Sequence, residues 1–380
     1  MIRKLSTLLV ASVLVACTDG NDTFLIEPPV QPLPDFTAAD TWLSDFVDAQ
    51  PPFPGGSMII VDGERGVVHK SVFGNQSDDS LVLLASTSKV PTVMLLMALN
   101  DDESIDFDVQ APIANYLPWE GVWDAAITTE NLVSNRSGIP GLNNLVTRAA
   151  DYAPHLCQYL PAGTLMACAE TLYTTPLPAI PTPPPDTVFD YGGSQWQIAG
   201  GVAEVVGGAS WNQLWDQYIG EPCGLEMTRY GNNLSFPADW TGNADALQGL
   251  DNPNMEGGMM SSLDDYAKLI SVHLNDGYCG DNQVMTAESV AFMREARTEG
   301  DDGSRGYGMG WWILPPDENG TFYLYVDPGA YGSISWIDTE RNYGGAVFFE
   351  EYTMASASTG SRGVSEELIP LVQAAFDAVR

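Results

Sequence analysis

Two stretches patterned as β-hairpins lie at opposite ends of this 380-residue chain. The first reads GSMIIVDGERGVVHKSVFG from Gly56, two β-branched runs around the turn residues Asp62, Gly63 and Gly66. The second reads GSISWIDTERNYGGAVFFEEY from Gly332, and GYGMGWWIL from Gly306 offers a further strand. A lone hairpin is only marginally stable in water, and the simplest assembly pairs the two ends into one sheet. The chain between them is patterned differently. Residues 93–99, 129–133, 195–206, 210–218 and 263–273 read as helices, while 174–187, TTPLPAIPTPPPDT, is too rich in proline for regular structure. A closing helix is expected over 364–379, with Val364, Leu368, Leu371, Val372, Ala375, Phe376 and Val379 at helical spacing and a kink at Pro370. The expected fold is α/β (α+β). Residues 38–93 and 305–380 form one antiparallel sheet flanked by helices, with an inserted, mostly helical domain over 94–304. A site would lie in the cleft between them.

Charge narrows the function. Asp and Glu number 50 against 15 Lys and Arg, a formal net charge of −35. That field repels nucleic acid and anionic membrane surfaces. The acidic stretch 100–108 lacks the glycine and terminal glutamate of a calcium loop, and no cofactor or metal site is expected. At the N-terminus, Arg3 and Lys4 precede an apolar run over 5–15, too short to span a bilayer. Residues 14–17, LVAC, look like a bacterial lipobox, so 1–17 is expected to be a lipoprotein signal with Cys17 lipidated. Residues 18–37, polar and then proline-rich, read as a tether. The product is then exported and held on the cell envelope by its lipid alone. An even set of cysteines remains: Cys157, Cys168, Cys223 and Cys279. Sequence-local pairing favours Cys157–Cys168 and Cys223–Cys279, with zinc binding or free thiols as the rivals; no C-x-x-C pair occurs.

The chemistry begins with absences. There is no G-x-S-x-G and no H-E-x-x-H, and the three histidines, His69, His155 and His273, fall on separate elements. What is present is Ser86-Thr87-Ser88-Lys89, just before a helical run, in a chain with four lysines. Residues three apart share a helix face, so the Lys89 amine can reach the Ser86 hydroxyl. A desolvated lysine is expected to fall in pKa and to accept the serine proton. Taken alone, the motif is equally a capping serine beside a surface lysine, and Pro91 restricts where the helix begins.

Other segments agree in order with the motif. FPGGSMIIV from Phe53, NLVSNRSGIPG from Asn131, PDTVFDYGG from Pro185, GGMMSSLDDY from Gly257, GYGMGWW from Gly306 and DPGA from Asp327 together resemble the serine β-lactamase and penicillin-binding superfamily, in particular class C β-lactamases and family VIII carboxylesterases. The resemblance runs from about Phe53 to the C-terminus. It implies a β-lactamase/transpeptidase-like fold and a serine hydrolase with Ser86 as nucleophile, with Lys89 and Tyr191 sharing the general-base task. It also implies an oxyanion hole from the Ser86 and Ala330 backbone N–H groups. Trp311, Trp312 and Arg136 are expected to be structural.

Two departures from the family pattern bear on substrate. The Asn or Ser that usually follows the tyrosine is Gly193, and the lysine or histidine of the third motif is Asp327, two residues before Gly329. Gly193, Asp327 and Gly329 are therefore the candidate substrate-binding positions. An aspartate facing the cleft would repel a carboxylate, which disfavours β-lactams and D-Ala-D-Ala peptides and leaves small neutral esters as expected substrates. The alternatives are a β-lactamase or D-amino-acid peptidase acting on a small amide and, in a different class, a non-catalytic envelope lipoprotein.

Overall fold

In a computed structural model of the chain, residues 32–49, 53–235, 237–298, 306–317, 319–321, 323–350 and 357–380 are described. The lipobox with Cys17, and the tether up to residue 31, lie outside the described residues. The two ends meet in a seven-stranded antiparallel sheet. Its strands are β1 (Gly55–Asp62), β2 (Gly66–Gly74), β3 (Gly306–Tyr307), β4 (Trp312–Ile313), β5 (Leu324–Pro328), β6 (Ile334–Asp338) and β7 (Tyr343–Phe349), in the spatial order β2-β1-β7-β6-β5-β4-β3. The β1–β7 seam joins the N-terminal and C-terminal hairpins, with Gly56 opposite Phe349 and Asp62 opposite Tyr343. The GYGMGWWIL stretch forms two short strands rather than one, because Gly310 at φ +84° turns the chain between them.

Every residue of β1 and β7 is buried, so both sheet faces are covered. Strand alternation sorts them. Met58, Ile60, Val347 and Phe349 face a layer of α1 (Thr37–Ala49) and α5 (Ile369–Asp377), whose Leu43, Val47, Val372 and Phe376 fill that core. Ile59, Val61, Ala346 and Phe348 face the other way, into a second core shared with α2 (Lys89–Asp101), α3 (Ser194–Gly207) and α4 (Leu263–Leu274). Helix α2 is buried all round from Lys89 to Leu99, as a helix apolar on every side must be. Helix α4 comes from the middle of the chain yet packs directly on β1 and β7. Residues of the inserted segment therefore share a core with the sheet. At the far end the expected kink takes the form of a π turn, Val364–Leu368, that leads into Pro370 in the first turn of α5.

Candidate active site

The Ser86 motif sits where the strand Val82–Leu83 gives way to α2. Ala85 turns the chain at φ +47°, a conformation unfavourable for a residue with a side chain and sustained by the surrounding bonds. A 3₁₀ turn, Ala85–Ser88, follows and runs directly into Lys89, the first residue of α2. Pro91 falls in that first turn, where a missing N–H costs nothing. Hydroxyl groups hold the turn on all sides. Thr87 Oγ1 donates to the carbonyls of Asp327 (3.0 Å) and Ser333 (3.2 Å). Ser88 Oγ donates to Ala85 O and accepts from Met259 N. Tyr266 OH donates to Thr87 O, and Thr92 Oγ1 donates to Met255 O. The residues between Ser86 and Lys89 are thus fasteners that fix where the serine points.

Lys89 is completely buried, and its Nζ donates to Ser86 Oγ (3.0 Å) and to the backbone carbonyl of Glu256 (2.8 Å). The ring centre of Tyr191 lies 4.6 Å from Nζ, and its phenol couples electrostatically to the amine. The loop carrying Tyr191 is anchored by Asn135, whose backbone carbonyl accepts from Asp190 N and whose Oδ1 accepts from Gly192 N. The structure thus brings Ser86, Lys89 and Tyr191 together. It also adds a residue absent from the sequence reading: the Glu256 carboxylate, 2% exposed, with Oε2 3.4 Å from Lys89 Nζ. Its sequence signal is faint, one charged residue in the otherwise uncharged run NPNMEGGMMSS.

Glu256 and its neighbours overturn one electrostatic expectation. Burial does oppose the charge on Lys89, but Tyr191, Glu256 and Asp327 outweigh it and hold the amine above its ordinary value. Burial also pushes the Tyr191 phenol up, against the pull of Lys89. At neutral pH the pair rests as ammonium and phenol.

Two candidate substrate positions are placed differently from expectation. Asp327 on β5 is fully buried, and its Oδ2 accepts from Val90 N (3.2 Å) at the start of α2. It faces the helix and not a substrate, and burial pushes its carboxyl well above the usual range, so the expected repulsion of a substrate carboxylate is corrected. Gly193 is buried at φ +81°, and a Cβ there would come within 2.8 Å of Gly141 Cα and Pro140 O. The family's side chain has no room at that position on this backbone. Gly329 lies against the serine turn, where a Cβ would meet Leu84 O and Thr87 Oγ1. It begins the tight turn that leads through Ala330 into β6, with Gly329 N donating to Ser333 O. This close approach carries Ala330 to the serine turn.

Trp311 is buried edge-on to His273, whereas Trp312 is half-buried with its ring centre 5.3 Å from that of Tyr191, so it packs the strand and walls the site at once. Arg136 is structural, bonding the carbonyls of Arg297 and Asp186. His69 pairs with Asp40, His155 bonds Ser194 and Thr175 O, and no bond joins any histidine to Ser86 among the described residues. The cysteines form the two sequence-local disulfides, Cys157–Cys168 and Cys223–Cys279.

A serine on a strained strand-to-helix turn, a buried lysine one turn on and a tyrosine against both define a serine hydrolase class that works without histidine. Residues 40–362 match the Beta-lactamase family, and the chain belongs to it; its members are serine hydrolases. A relative is penicillin-binding protein 4 of Amycolatopsis lactamdurans, 27% identical over 315 residues, covering 73% of this chain and 78% of that protein. Among solved structures, EstCE1, a hydrolase with promiscuous acyltransferase activity, superposes with a TM-score of 0.70 at 18% identity, covering 90% of this chain and 98% of the other. A D-stereospecific amidohydrolase from Streptomyces sp. gives 0.62 at 16%, covering 88% and 99%.

Proposed function

We propose that this family member is an exported carboxylesterase that acts on small neutral esters through an acyl-enzyme on Ser86. The observation that carries the reading is the 3.0 Å contact between Lys89 Nζ and Ser86 Oγ, with the Tyr191 ring centre 4.6 Å from the same amine. In this mechanism Ser86 Oγ attacks the ester carbonyl and its proton passes to the Lys89–Tyr191 pair. The oxyanion is held by the N–H groups of Ser86 and Ala330. Ser86 is the second residue of its 3₁₀ turn, where the N–H has no partner within the helix. Tyr191 then protonates the departing alkoxide, and water, activated by the same pair, releases the acid.

The preference for neutral esters rests on the third motif. Asp327 supplies no cation there, and its side chain is engaged with Val90. The likeness to EstCE1, a hydrolase with promiscuous acyltransferase activity, supports transfer of an acyl group, and the penicillin-binding relative supports the amide alternative. Hydrolysis of p-nitrophenyl butyrate, with Ser86→Ala as control, decides between them. The expected loss on substitution is at least ~10³-fold. Turnover of nitrocefin but not of the butyrate ester would replace the ester reading with the β-lactamase one, and no Ser86 adduct with a fluorophosphonate would favour a binding protein. For localisation we propose lipid anchoring at Cys17 on the cell envelope. Incorporation of labelled palmitate, lost in Cys17→Ala, is the expected result, and equal labelling of both chains would refute it.

A further inference from the structure

We propose that Glu256 is the proton-holding partner of Lys89, a positioning residue whose carboxylate takes the ammonium proton so that the Lys89 amine can receive the proton of Ser86. The inference rests on the reading of Ser86 as nucleophile and deepens it.

The geometry starts from the two glycines after Tyr191. Gly192 and Gly193 sit at φ +74° and +81°, and a Cβ on Gly192 would collide with Glu256 Oε2. The absence of side chains there opens the space that this carboxylate fills. Glu256 Oε1 accepts from Tyr159 OH (2.8 Å) and Oε2 accepts from Gly193 N (2.9 Å). Desolvating a carboxylate costs several kcal/mol, so a buried one persists only where partners hold it. Lys89 is its one salt-bridge partner among the described residues. The other titratable groups facing it are the phenols of Tyr152, Tyr159, Tyr191 and Tyr307, and Asp327 faces the same lysine.

The need for a proton acceptor follows from the lysine's own bonds. In the resting site Nζ donates to Ser86 Oγ, and an ammonium carries three donors and no acceptor. It cannot take a proton until it gives one up. Glu256 Oε2 is within reach at 3.4 Å, while no ion pair joins Asp327 to Lys89 among the described residues. One Nζ proton moves to Glu256 Oε2, leaving a neutral amine and a carboxylic acid. Ser86 Oγ then bonds to the acyl carbon while its proton moves to Nζ and the carbonyl electron pair moves to oxygen. When the tetrahedral adduct collapses, the C–O bond to the leaving group breaks and Tyr191 protonates the alkoxide. Lys89 reprotonates Tyr191, and Glu256 returns its proton to Lys89, so the dyad ends as it began.

The test is the rate of Ser86 labelling by a fluorophosphonate across pH, in the full chain and in Glu256→Gln. This readout does not depend on which ester or amide is the substrate. Glu256→Gln is expected to lower the rate about 100-fold near pH 7, with recovery as pH rises and Lys89 loses its proton to solvent. A loss equal at every pH would make Glu256 merely structural and overturn the proposal. An unchanged or faster rate near pH 7 would also overturn it, by showing that Glu256 only restrains a lysine that acts alone. If Glu256→Gln does not fold, Glu256→Asp carries the test: the shorter carboxylate is drawn back from Nζ, so the labelling rate near pH 7 should fall and recover as pH rises, and an unchanged rate refutes the proposal. Labelling that survives in Ser86→Ala would instead overturn the nucleophile assignment itself.

Discussion

Two buried aspartates, Asp265 on α4 and Asp327 on β5, show how differently this molecule treats carboxylates. Asp265 Oδ2 accepts from the N–H groups of Glu226, Met227 and Thr228 and from Thr228 Oγ1, at 2.7 to 3.1 Å, and Lys268 reaches Oδ1 at 3.2 Å. It organises a loop on the first turn of α4 and has no capacity left for chemistry. Asp327 has one bond, from Val90 N, and its Oδ1 has no hydrogen-bond partner among the described residues. The saturated carboxylate stands in the scaffold and the half-satisfied one is coupled to the buried Lys89. Incomplete pairing in a low-dielectric interior is what moves proton affinities, and active sites depend on that movement.

Substitutions can break or sharpen this contrast. Asp265→Ala strands three backbone donors and a lysine, so it should cost about 3–5 kcal/mol in urea unfolding. A cost below 1 kcal/mol would erase the distinction. Gly193→Asn puts a side chain where Gly141 and Pro140 stand, on a backbone at positive φ. It should lose about 1–3 kcal/mol and gain no activity toward β-lactams; a stable variant with nitrocefin turnover would contradict the steric account.

The smallest effect belongs to Asp327→Asn, within about 1 kcal/mol at low pH, where both folded and unfolded chains carry the group uncharged. Its sign depends on pH. Because the folded pKa is raised above the unfolded value, this aspartate's contribution is fully present below about pH 4 and is lost as pH rises toward the folded pKa. The variant should therefore gain in Tm over the parent as pH rises from about 4 to neutrality. A constant Tm difference across that range would show that Asp327 ionises freely.

The hairpins and the Ser86–Lys89 spacing were legible because each is local. Strand alternation, turn residues and a three-residue helical step survive in a linear reading. The sequence-local disulfides were legible for the same reason. Glu256 was not, since 167 positions separate it from Lys89 and nothing in its neighbours announces the approach. The direction of the Lys89 shift was likewise hidden: desolvation alone lowers an amine's pKa, and the opposing charges come from three distant segments. Asp327 was found in its motif but its facing was misjudged, because a motif position does not say which side of a strand meets solvent.

By itself, then, the sequence determined an antiparallel sheet built from both chain ends, a helical interior and a serine–lysine pair one turn apart. Which carboxylates surround that pair, and how deeply they are buried, emerged from the folded chain alone. Those are sums over groups far apart in the chain, and electrostatic interactions strengthen as the fold excludes the solvent between them.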